Sequence, residues 1–241
     1  MAELKEKLLN EFSDLKDSME FYQDNLVFIT KKNWDYQNCL ETQNSLNQFV
    51  YEYPELRVFI FCNHPPCFTD GRGLQKKSGK PIESLIEGNR ENLPYPLYKI
   101  NRAGGMTFHH PGQVVIYPIV RIGTKLSLKS LVDLLFLSIQ NFVKSEFTLN
   151  YERKCAELLG LWNEGQKVAS LGIEVKKFIT LHGIAFNIED HEIFQALNSA
   201  RPCGISGDVY TSLEKQIGKK VEIDRVFEKT KRELISSLSD I

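Results

Sequence analysis

Residues 168–188 read VASLGIEV-KK-FITLHGIAFNI, two apolar segments joined by a pair of lysines. In both segments apolar side chains recur at every second position, which is the period of a β-strand. The connection Lys176-Lys177 is short enough for a tight turn. We therefore predict a β-hairpin over these residues.

Two other segments have the near-continuous apolar character of strands that are buried on both faces. They are Arg57–Cys62 and Val114–Val120. The first is followed by Pro65-Pro66, whose rings cannot continue a strand ladder. A further short strand is predicted over residues 24–30, and residues 69–96 are predicted to be mostly loop, with a short helix around 82–86.

Helical spacing of apolar residues is present in three segments, 34–53, 126–149 and 225–238. Strands and helices do not alternate regularly, and no G-x-G-x-x-G sequence opens a helix after a strand, so a dinucleotide-binding or P-loop architecture is disfavoured. The pattern predicts a single α/β (α+β) domain with a mixed β-sheet flanked by helices.

The first 24 residues show the same helical spacing. Apolar side chains recur there at steps of three and four, at Leu4, Leu8, Phe12, Leu15 and Met19. We predict an amphipathic helix over 1–24 that packs as an extension on the surface of a domain formed by residues 25–241.

The composition is that of an ordinary globular protein. The 241 residues are 42% hydrophobic and 25% charged, with a formal net charge of −1, which argues against disorder and against nucleic acid as the main partner. The apolar stretches are far shorter than the roughly 20 residues that span a bilayer. The first residues carry acidic side chains and lack the apolar core of a signal peptide. We expect a cytoplasmic location and no membrane partner.

Five cysteines occur in the chain, at positions 39, 62, 67, 155 and 203. Cys62 and Cys67 are spaced C-x4-C without the second pair that a zinc site needs, so we expect no metal site and free thiols in a reducing compartment. Cys203 lies between Pro202 and Gly204 and is expected to be more exposed than Cys62, which lies in an apolar strand. An exposed thiol is a candidate nucleophile.

The segment from Arg102 to Gln113 contains three glycines, two histidines and an arginine just before a predicted strand. It is either a tight loop with a structurally bonded histidine or a loop whose backbone and side chains line a ligand cleft. The sequence alone leaves both interpretations open.

A nucleophilic thiol needs a nearby cation or histidine that lowers its pKa. The candidates are Lys167, His109 and His182. A lysine at the start of a strand is ordinarily solvated, but Lys167 is followed by Ser170 and Gly172, which share one face of the predicted strand.

Four segments, taken together and in this order, resemble one family, the lipoyl(octanoyl) transferases. They are HPPCFTDGR (64–72), RAGGMTFHHPGQ (102–113), the stretch from Lys167 to Asn187 with Lys-x-x-Ser-x-Gly and His-Gly-x-Ala, and Pro202-Cys203-Gly204 running on to Leu213. The resemblance covers roughly residues 25–225. Any one of these motifs would be weak, whereas the set is specific.

The resemblance implies a biotin/lipoate protein ligase-like fold for residues 25–241 and an acyltransferase activity. The family transfers an octanoyl group from octanoyl-acyl carrier protein to a lysine of a lipoyl domain, in 2-oxoacid dehydrogenase subunits or the glycine cleavage H protein. No cofactor is expected beyond the phosphopantetheine arm that carries the donor.

By position, Cys203 would be the acyl-thioester nucleophile and Lys167 the residue that lowers its pKa. Three stretches would bind substrate: Arg102, Ala103, Gly104, Gly105, Met106, Thr107, Phe108 and His109; Ser170, Leu171 and Gly172; and Gly183, Ile184 and Ala185.

The chain departs from the family pattern at three places. Ala103 replaces a glycine, which would be strained if its φ were positive. His110 replaces a small residue and is expected either to narrow the cleft or to add a titrating group. Cys67 adds a thiol beside the His-Pro-Pro segment. These changes bear on acyl preference and rate more than on reaction class.

Three alternatives remain open at this point. An ATP-dependent lipoate–protein ligase on the same fold would use a lysine in the Lys167 region but would not need Cys203. A relay amidotransferase that moves lipoyl groups between proteins would place its cysteine at a different position. The changes at Ala103 and His110 motivate a third and less favoured alternative, a non-catalytic module that holds acylated partners.

Overall fold

The computed structural model describes residues 2–23, 25–73, 93–154, 159–189 and 209–238. The helix predicted around 82–86 and the cysteines Cys155 and Cys203 lie outside these residues. Where the chain is described, no helix is long and apolar enough to cross a membrane.

Eleven strands are formed by the described residues. In chain order they are β1 (Met19–Tyr22), β2 (Leu26–Lys31), β3 (Arg57–Cys62), β4 (Cys67–Gly73), β5 (Leu97–Lys99), β6 (Gly104–His109), β7 (Gln113–Val120), β8 (Glu152–Lys154), β9 (Gly160–Asn163), β10 (Gln166–Lys176) and β11 (Ile179–Asn187).

The strands form two sheets. The large sheet has the order β1-β2-β3-β7-β11-β10-β9-β8, and all of its neighbouring strands are antiparallel except the parallel pair β2–β3. The small sheet has the order β5-β4-β6, with β4 parallel to β5 and antiparallel to β6. The predicted mixed sheet and the predicted hairpin β10–β11 are confirmed.

The described part of the chain also forms five α-helices: α1 (Ala2–Glu11), α2 (Tyr36–Glu52), α3 (Leu128–Phe147), α4 (Leu213–Ile217) and α5 (Ile223–Leu238). The N-terminus of α2 is capped by the Asp35 carboxylate and that of α3 by the Ser127 hydroxyl, each of which accepts a backbone N–H in the first turn. The three predicted long helices are confirmed.

The core lies on both faces of the large sheet. On one face α3 and α5 pack over Phe28, Phe59 and other side chains of the central strands. On the opposite face α1 and α2 pack over the alternate residues of the same strands, Val27 and Ile60 among them. Because successive side chains of a strand point to opposite faces, strands covered on both sides are apolar throughout. This arrangement explains the continuous apolar runs of β3 and β7.

The single helix predicted over 1–24 is wrong beyond Glu11. A 3₁₀ helix follows at Ser13–Ser18, and Met19–Tyr22 form β1, paired antiparallel with β2. Met19 continues the helical spacing of the apolar residues, but its side chain is used in a strand. Pairing with a neighbouring strand here overrides the local pattern.

Two predicted loops contain strands. The segment 102–113 forms β6 over residues 104–109, and the loop predicted over 69–96 begins inside β4 and ends just before β5. Glycine-rich sequences are unfavourable for isolated strands. In the structure they pair with each other, Gly73 opposite Gly104 and Thr69 opposite Thr107.

One irregularity in the large sheet positions the site described below. The ladder between β7 and β11 runs from Gln113–Asn187 to Ile116–Ile184, and the same register resumes at the bridge Arg121–Ile179. Between these points Pro118 has no N–H to donate. The Thr180 hydroxyl takes over, since it donates to the Pro118 carbonyl over 2.7 Å and accepts from the Val120 N–H over 3.2 Å.

We predict that the N-terminal helix is part of the cooperative fold. Leu8 is fully buried in the core on the α2 side. Leu8→Ala should lower the free energy of unfolding by about 2–5 kcal/mol, because it leaves a cavity in a packed core. The measurement is chemical denaturation. The matched control is Leu137→Ala on α3, where the side chain is 41% exposed, and an equal effect of the two substitutions would contradict the prediction.

Candidate active site

A cleft opens over the irregular part of the β7–β11 ladder. It is lined by residues of α2, β6, β7, β10 and β11 and of the turn before β6: Tyr36, Arg102, Thr107, His109, Val115, Tyr117, Ser170, Gly172, His182, Gly183, Ile184 and Ala185. The empty space between these residues, including the open mouth, is about 270 Å³. The floor is largely apolar and the rim carries hydroxyl, imidazole and guanidinium groups.

The Arg102 side chain lines this cleft. It is buried, and its Nη2 donates to the Thr69 hydroxyl over 2.9 Å, to the Thr69 carbonyl over 3.2 Å and to the Thr107 hydroxyl over 2.7 Å. Nη1 donates to the Ala103 carbonyl over 3.1 Å. These contacts fix the guanidinium against the small sheet, beside the floor of the cleft.

Two opposed glycines make room for this packing. Gly172 of β10 and Gly183 of β11 are directly paired. A Cβ at residue 172 would lie 2.6 Å from the Ala103 carbonyl oxygen and 2.9 Å from Arg102 Cδ, and one at residue 183 would lie 2.0 Å from the Ile116 carbonyl oxygen. Only glycine permits such a close approach. Gly172 therefore accommodates Arg102, and Gly183 accommodates the neighbouring strand.

His109 is oriented by a chain of buried hydrogen bonds. The Gln113 amide nitrogen donates to the Phe108 carbonyl and to Asn187 Oδ1, so its oxygen faces His109 Nδ1 at 2.7 Å and accepts from it. His109 Nε2 is then the acceptor for the Thr69 hydroxyl, 3.3 Å away. The imidazole is thus held in one tautomer, and Thr69 connects it to Arg102.

The same chain extends to the strand that carries Lys167. Asn187 Nδ2 donates to the Thr211 carbonyl over 3.1 Å, and the Thr211 N–H donates to the Lys167 carbonyl over 2.9 Å. Tyr210 forms a parallel bridge with Lys167. The segment that follows the Pro-Cys-Gly motif in sequence is therefore fixed against β10 by Asn187.

The histidines in and beneath the cleft are held neutral by burial. Desolvation lowers the pKa of His64 to about 4 and that of His109 well below its usual value. Burial also lowers the pKa of His182, although a hydrogen bond to Glu174 opposes this effect. A guanidinium keeps its proton in proteins, so Arg102 is a permanent positive charge among neutral rings.

Lys167 is buried, with only 4% of its surface exposed, which differs from the solvated position usual for a lysine at a strand start. The register of β10 against β9 shifts between Lys167 and Ala169, a bulge that re-aims the side chain there. The Lys167 ammonium lies 5.8 Å from the centre of the Trp162 ring. The predicted nucleophile, Cys203, lies outside the described residues, so its distance from Lys167 stays a prediction.

The structure brings together eight of the predicted substrate-binding residues as cleft lining: Arg102, Thr107, His109, Ser170, Gly172, Gly183, Ile184 and Ala185. The other six, Ala103, Gly104, Gly105, Met106, Phe108 and Leu171, do not line it. Met106 and Phe108 pack with Phe68 in a separate cluster, and Leu171 packs in the main core. The alternation of side chains along β6 and β10 accounts for Met106, Phe108 and Leu171, which point away from the face that carries Thr107, His109 and Ser170.

Three lining residues lie outside every motif that the sequence singled out. Tyr36 comes from the first turn of α2, and Val115 and Tyr117 come from the apolar strand β7. Tyr36 stacks on His109 with 5.6 Å between ring centres. Nothing in the sequence indicates that Tyr36 lines a cleft. Tyr117 is weakly indicated, because its hydroxyl is a polar group within an otherwise apolar strand.

The departures from the family pattern have structural outcomes. Ala103 does not have a positive φ and is unstrained, while its neighbour Gly104 has φ 85°. His110 is buried and stacks on Phe108, with ring centres 5.8 Å apart, and it does not line the cleft. Its expected narrowing of the cleft is therefore wrong.

The chain is similar in sequence to a known protein family and to several of its members. The family described as the lipoyl protein ligase A/B catalytic domain matches residues 35–235. An octanoyltransferase of Caldicellulosiruptor saccharolyticus is 34% identical over 194 residues, which cover 80% of each chain. An octanoyltransferase of Bdellovibrio bacteriovorus is 30% identical over 222 residues, covering 85% of this chain and 94% of that one.

Solved structures show the same fold. Lipoate-protein ligase A bound with ATP has a TM-score of 0.64 at 12% identity, over 90% of this chain and 86% of that chain. P. falciparum LipL1 in complex with lipoate has a TM-score of 0.66 at 12% identity, over 90% and 63%. The predicted ligase-like fold is confirmed. With the sequence match over most of its length, the chain belongs to the lipoyl protein ligase A/B catalytic domain family.

Proposed function

We propose that this protein transfers an octanoyl group from octanoyl-acyl carrier protein to the lysine of a lipoyl domain, and so acts in protein lipoylation. The observation that carries the proposal is the convergence of eight motif residues on one cleft in a chain whose relatives are octanoyltransferases. The lipoyl domains of 2-oxoacid dehydrogenase subunits and the glycine cleavage H protein are the acceptors we propose, in the cytoplasm.

The proposed reaction has two acyl transfers. The Cys203 thiolate attacks the thioester carbonyl carbon, a new C–S bond forms, and the phosphopantetheine thiol leaves as a thiolate that takes up a proton. The acceptor amine then attacks the enzyme thioester, a C–N bond forms, and Cys203 leaves as a thiolate while the amine gives up a proton. Because a thioester is already activated, no ATP is consumed.

Lys167 can serve both transfers. As an ammonium it would stabilise the Cys203 thiolate, and as a neutral amine it would accept the proton of the acceptor lysine. The buried position of Lys167 and the bulge that aims it support this role. The hydrogen bonds from Thr211 and Asn187 tie the segment after the Pro-Cys-Gly motif to the same strand.

The acyl chain would lie on the apolar floor formed by residues such as Val115, Ile184 and Ala185. Burial of six or seven methylenes would contribute about 5 kcal/mol. Arg102 lines the same cleft, so its positive charge would be available to the polar end of the donor.

The first prediction concerns the nucleophile. Incubation of the wild-type chain with octanoyl-acyl carrier protein should give one octanoyl adduct on Cys203 by intact mass and peptide mapping. Cys203→Ala should abolish both the adduct and the transfer to a lipoyl domain, because the thioester cannot form.

Cys67→Ala is the matched control. Burial raises the pKa of the Cys67 thiol to about 12, so this thiol is not a nucleophile at neutral pH. Transfer that proceeds unimpaired in Cys203→Ala would rule out the covalent route. Transfer that needs free octanoate and ATP instead of the carrier protein would identify the chain as a ligase.

A second prediction concerns Lys167. Lys167→Met preserves the length and the apolar stem of the side chain but removes its acid–base group. We expect kcat for octanoyl transfer to fall by about 10²–10⁴-fold, because the variant has no group that can accept or donate the proton. Lys176→Met at the exposed end of the same strand is the control. Equal kcat values for the two variants would contradict the role of Lys167.

A third prediction concerns Asn187 as a positioning residue. Asn187→Asp puts an oxygen in place of the nitrogen that donates to the Thr211 carbonyl, so an attraction becomes a repulsion. The lost hydrogen bond should raise the activation free energy of the transfer by about 1–3 kcal/mol. This corresponds to a decrease in kcat of roughly 5–150-fold, while KM for the donor should change little. Asn44→Asp, at an exposed site on α2, is the control, and a change confined to KM would contradict the assignment.

A further inference from the structure

Two cysteines and a histidine meet in the core beneath the cleft. Cys39 comes from α2, Cys62 ends β3, and His64 follows β3. All three side chains are fully buried, and the two Sγ atoms and an imidazole nitrogen lie within 4.8 Å of one another. Cys39 is 23 positions before Cys62 in the sequence, and the cluster joins Cys62 to Cys39 and not to Cys67, the cysteine nearest to it in the sequence.

The spacing of the three ligand atoms suits three of the four positions around a tetrahedral metal ion. Cys62 Sγ lies 3.6 Å from His64 Nε2. With Zn–S of about 2.3 Å and Zn–N of about 2.0–2.1 Å, two ligands at a tetrahedral angle are about 3.5–3.6 Å apart. Two thiolates on the same ion would be about 3.8 Å apart, which lies inside the 4.8 Å limit of the cluster.

A hydrogen bond to the backbone orients the imidazole, as is usual for a histidine that binds a metal. His64 Nδ1–H donates to the Trp34 carbonyl over 2.6 Å, which fixes the tautomer and leaves Nε2 facing the thiols. The backbone around His64 is itself anchored, since the Trp34 N–H donates to the Asn63 carbonyl over 2.9 Å.

Gln43 orients the second ligand. Its amide oxygen accepts from the His182 N–H over 2.9 Å, so its amide nitrogen faces Cys39 Sγ, 3.8 Å away. An N–H directed at sulfur stabilises a thiolate more than a thiol. A glutamine that is itself fully buried and bonded on both sides therefore prepares Cys39 for the charged form that a metal ligand needs.

The charges also balance. Two thiolates and one divalent cation form a neutral unit, which is what a fully buried position demands. The imidazole binds in its neutral form, since Nδ1 keeps its proton against the Trp34 carbonyl and Nε2 offers its lone pair. Zinc binding releases the protons of the two thiols, as it does in structural zinc sites.

We propose that Cys39, Cys62 and His64 bind one Zn²⁺ ion beneath the substrate cleft. The Tyr117 hydroxyl lies 3.0 Å from the same His64 nitrogen, and Tyr117 lines the cleft. A zinc ion at this position would take the place of the Tyr117 hydroxyl at His64 Nε2. Zinc binding in the core would therefore change the hydrogen bonding of Tyr117, a residue that lines the cleft. The proposal does not rest on the octanoyl transfer and holds for any reaction in the cleft.

The test is zinc binding by the full-length chain carrying Cys203→Ala, which removes the predicted nucleophile as a competing thiol. The protein is stripped of metal under reducing conditions, dialysed against Zn²⁺ and analysed for metal content. We expect one zinc per chain and a melting temperature that rises with free Zn²⁺, because the ion binds the native state. Cys39→Ala and Cys62→Ala, each added to this background, should lose the zinc, and Cys67→Ala should keep it.

Co²⁺ provides a readout that does not depend on fold stability. Thiolate coordination gives a sulfur-to-cobalt charge-transfer absorption, which should be present in the parent and in Cys67→Ala and absent in Cys39→Ala and Cys62→Ala. Circular dichroism of each variant checks that it is folded. One zinc per chain retained in both ligand variants would overturn the proposal. So would absence of zinc from the folded parent, or a disulfide between Cys39 and Cys62 under the same reducing conditions.

Discussion

The close contact between β7 and β11 at Pro118 and Gly183 is the constraint on which the rest of the molecule depends. A Cβ at residue 183 would lie 2.9 Å from the Pro118 ring and 2.0 Å from a β7 carbonyl oxygen, so the two strands meet only because this residue is glycine. They join strands β1–β3, on one side of the large sheet, to the β8–β10 meander on the other side. Where proline interrupts the ladder, a threonine hydroxyl completes it, and the cleft opens beside the interruption.

Electrostatics in the cleft are dominated by one guanidinium. The imidazoles around it are neutral because they are buried, and threonine hydroxyls and backbone carbonyls hold Arg102 in place. For the acyl transfer proposed above, the apolar floor and the Arg102 charge would have separate roles. The floor favours a hydrocarbon chain of suitable length, and the charge favours its polar end.

Local patterns in the sequence predicted the family, the fold class and the long elements, because apolar periodicity and motif order depend on neighbouring residues. They did not predict which motif residues face the cleft, since in β6 and β10 that depends on the pleat, with Thr107 and Phe108 on opposite faces. The spacing of apolar residues predicts a helix at Met19, because this spacing does not reveal that the segment pairs with β2. Cys39 and Cys62 are close only because α2 packs on the large sheet. Their spacing in the sequence therefore does not predict the contact. The roles of Cys203 and Lys167 stay predictions that follow from the family resemblance.

The two edges of the large sheet have a consequence for the behaviour of the protein in a crowded cell. In the part of the chain that the structure describes, the outermost strands are β1, with four residues, and β8, with three. Glu20 of β1 is paired with Lys231 of α5, and β8 consists of Glu152, Arg153 and Lys154. Short, charged edge strands give other chains little backbone to pair with. Short edges of this kind therefore limit edge-to-edge aggregation between copies of the chain.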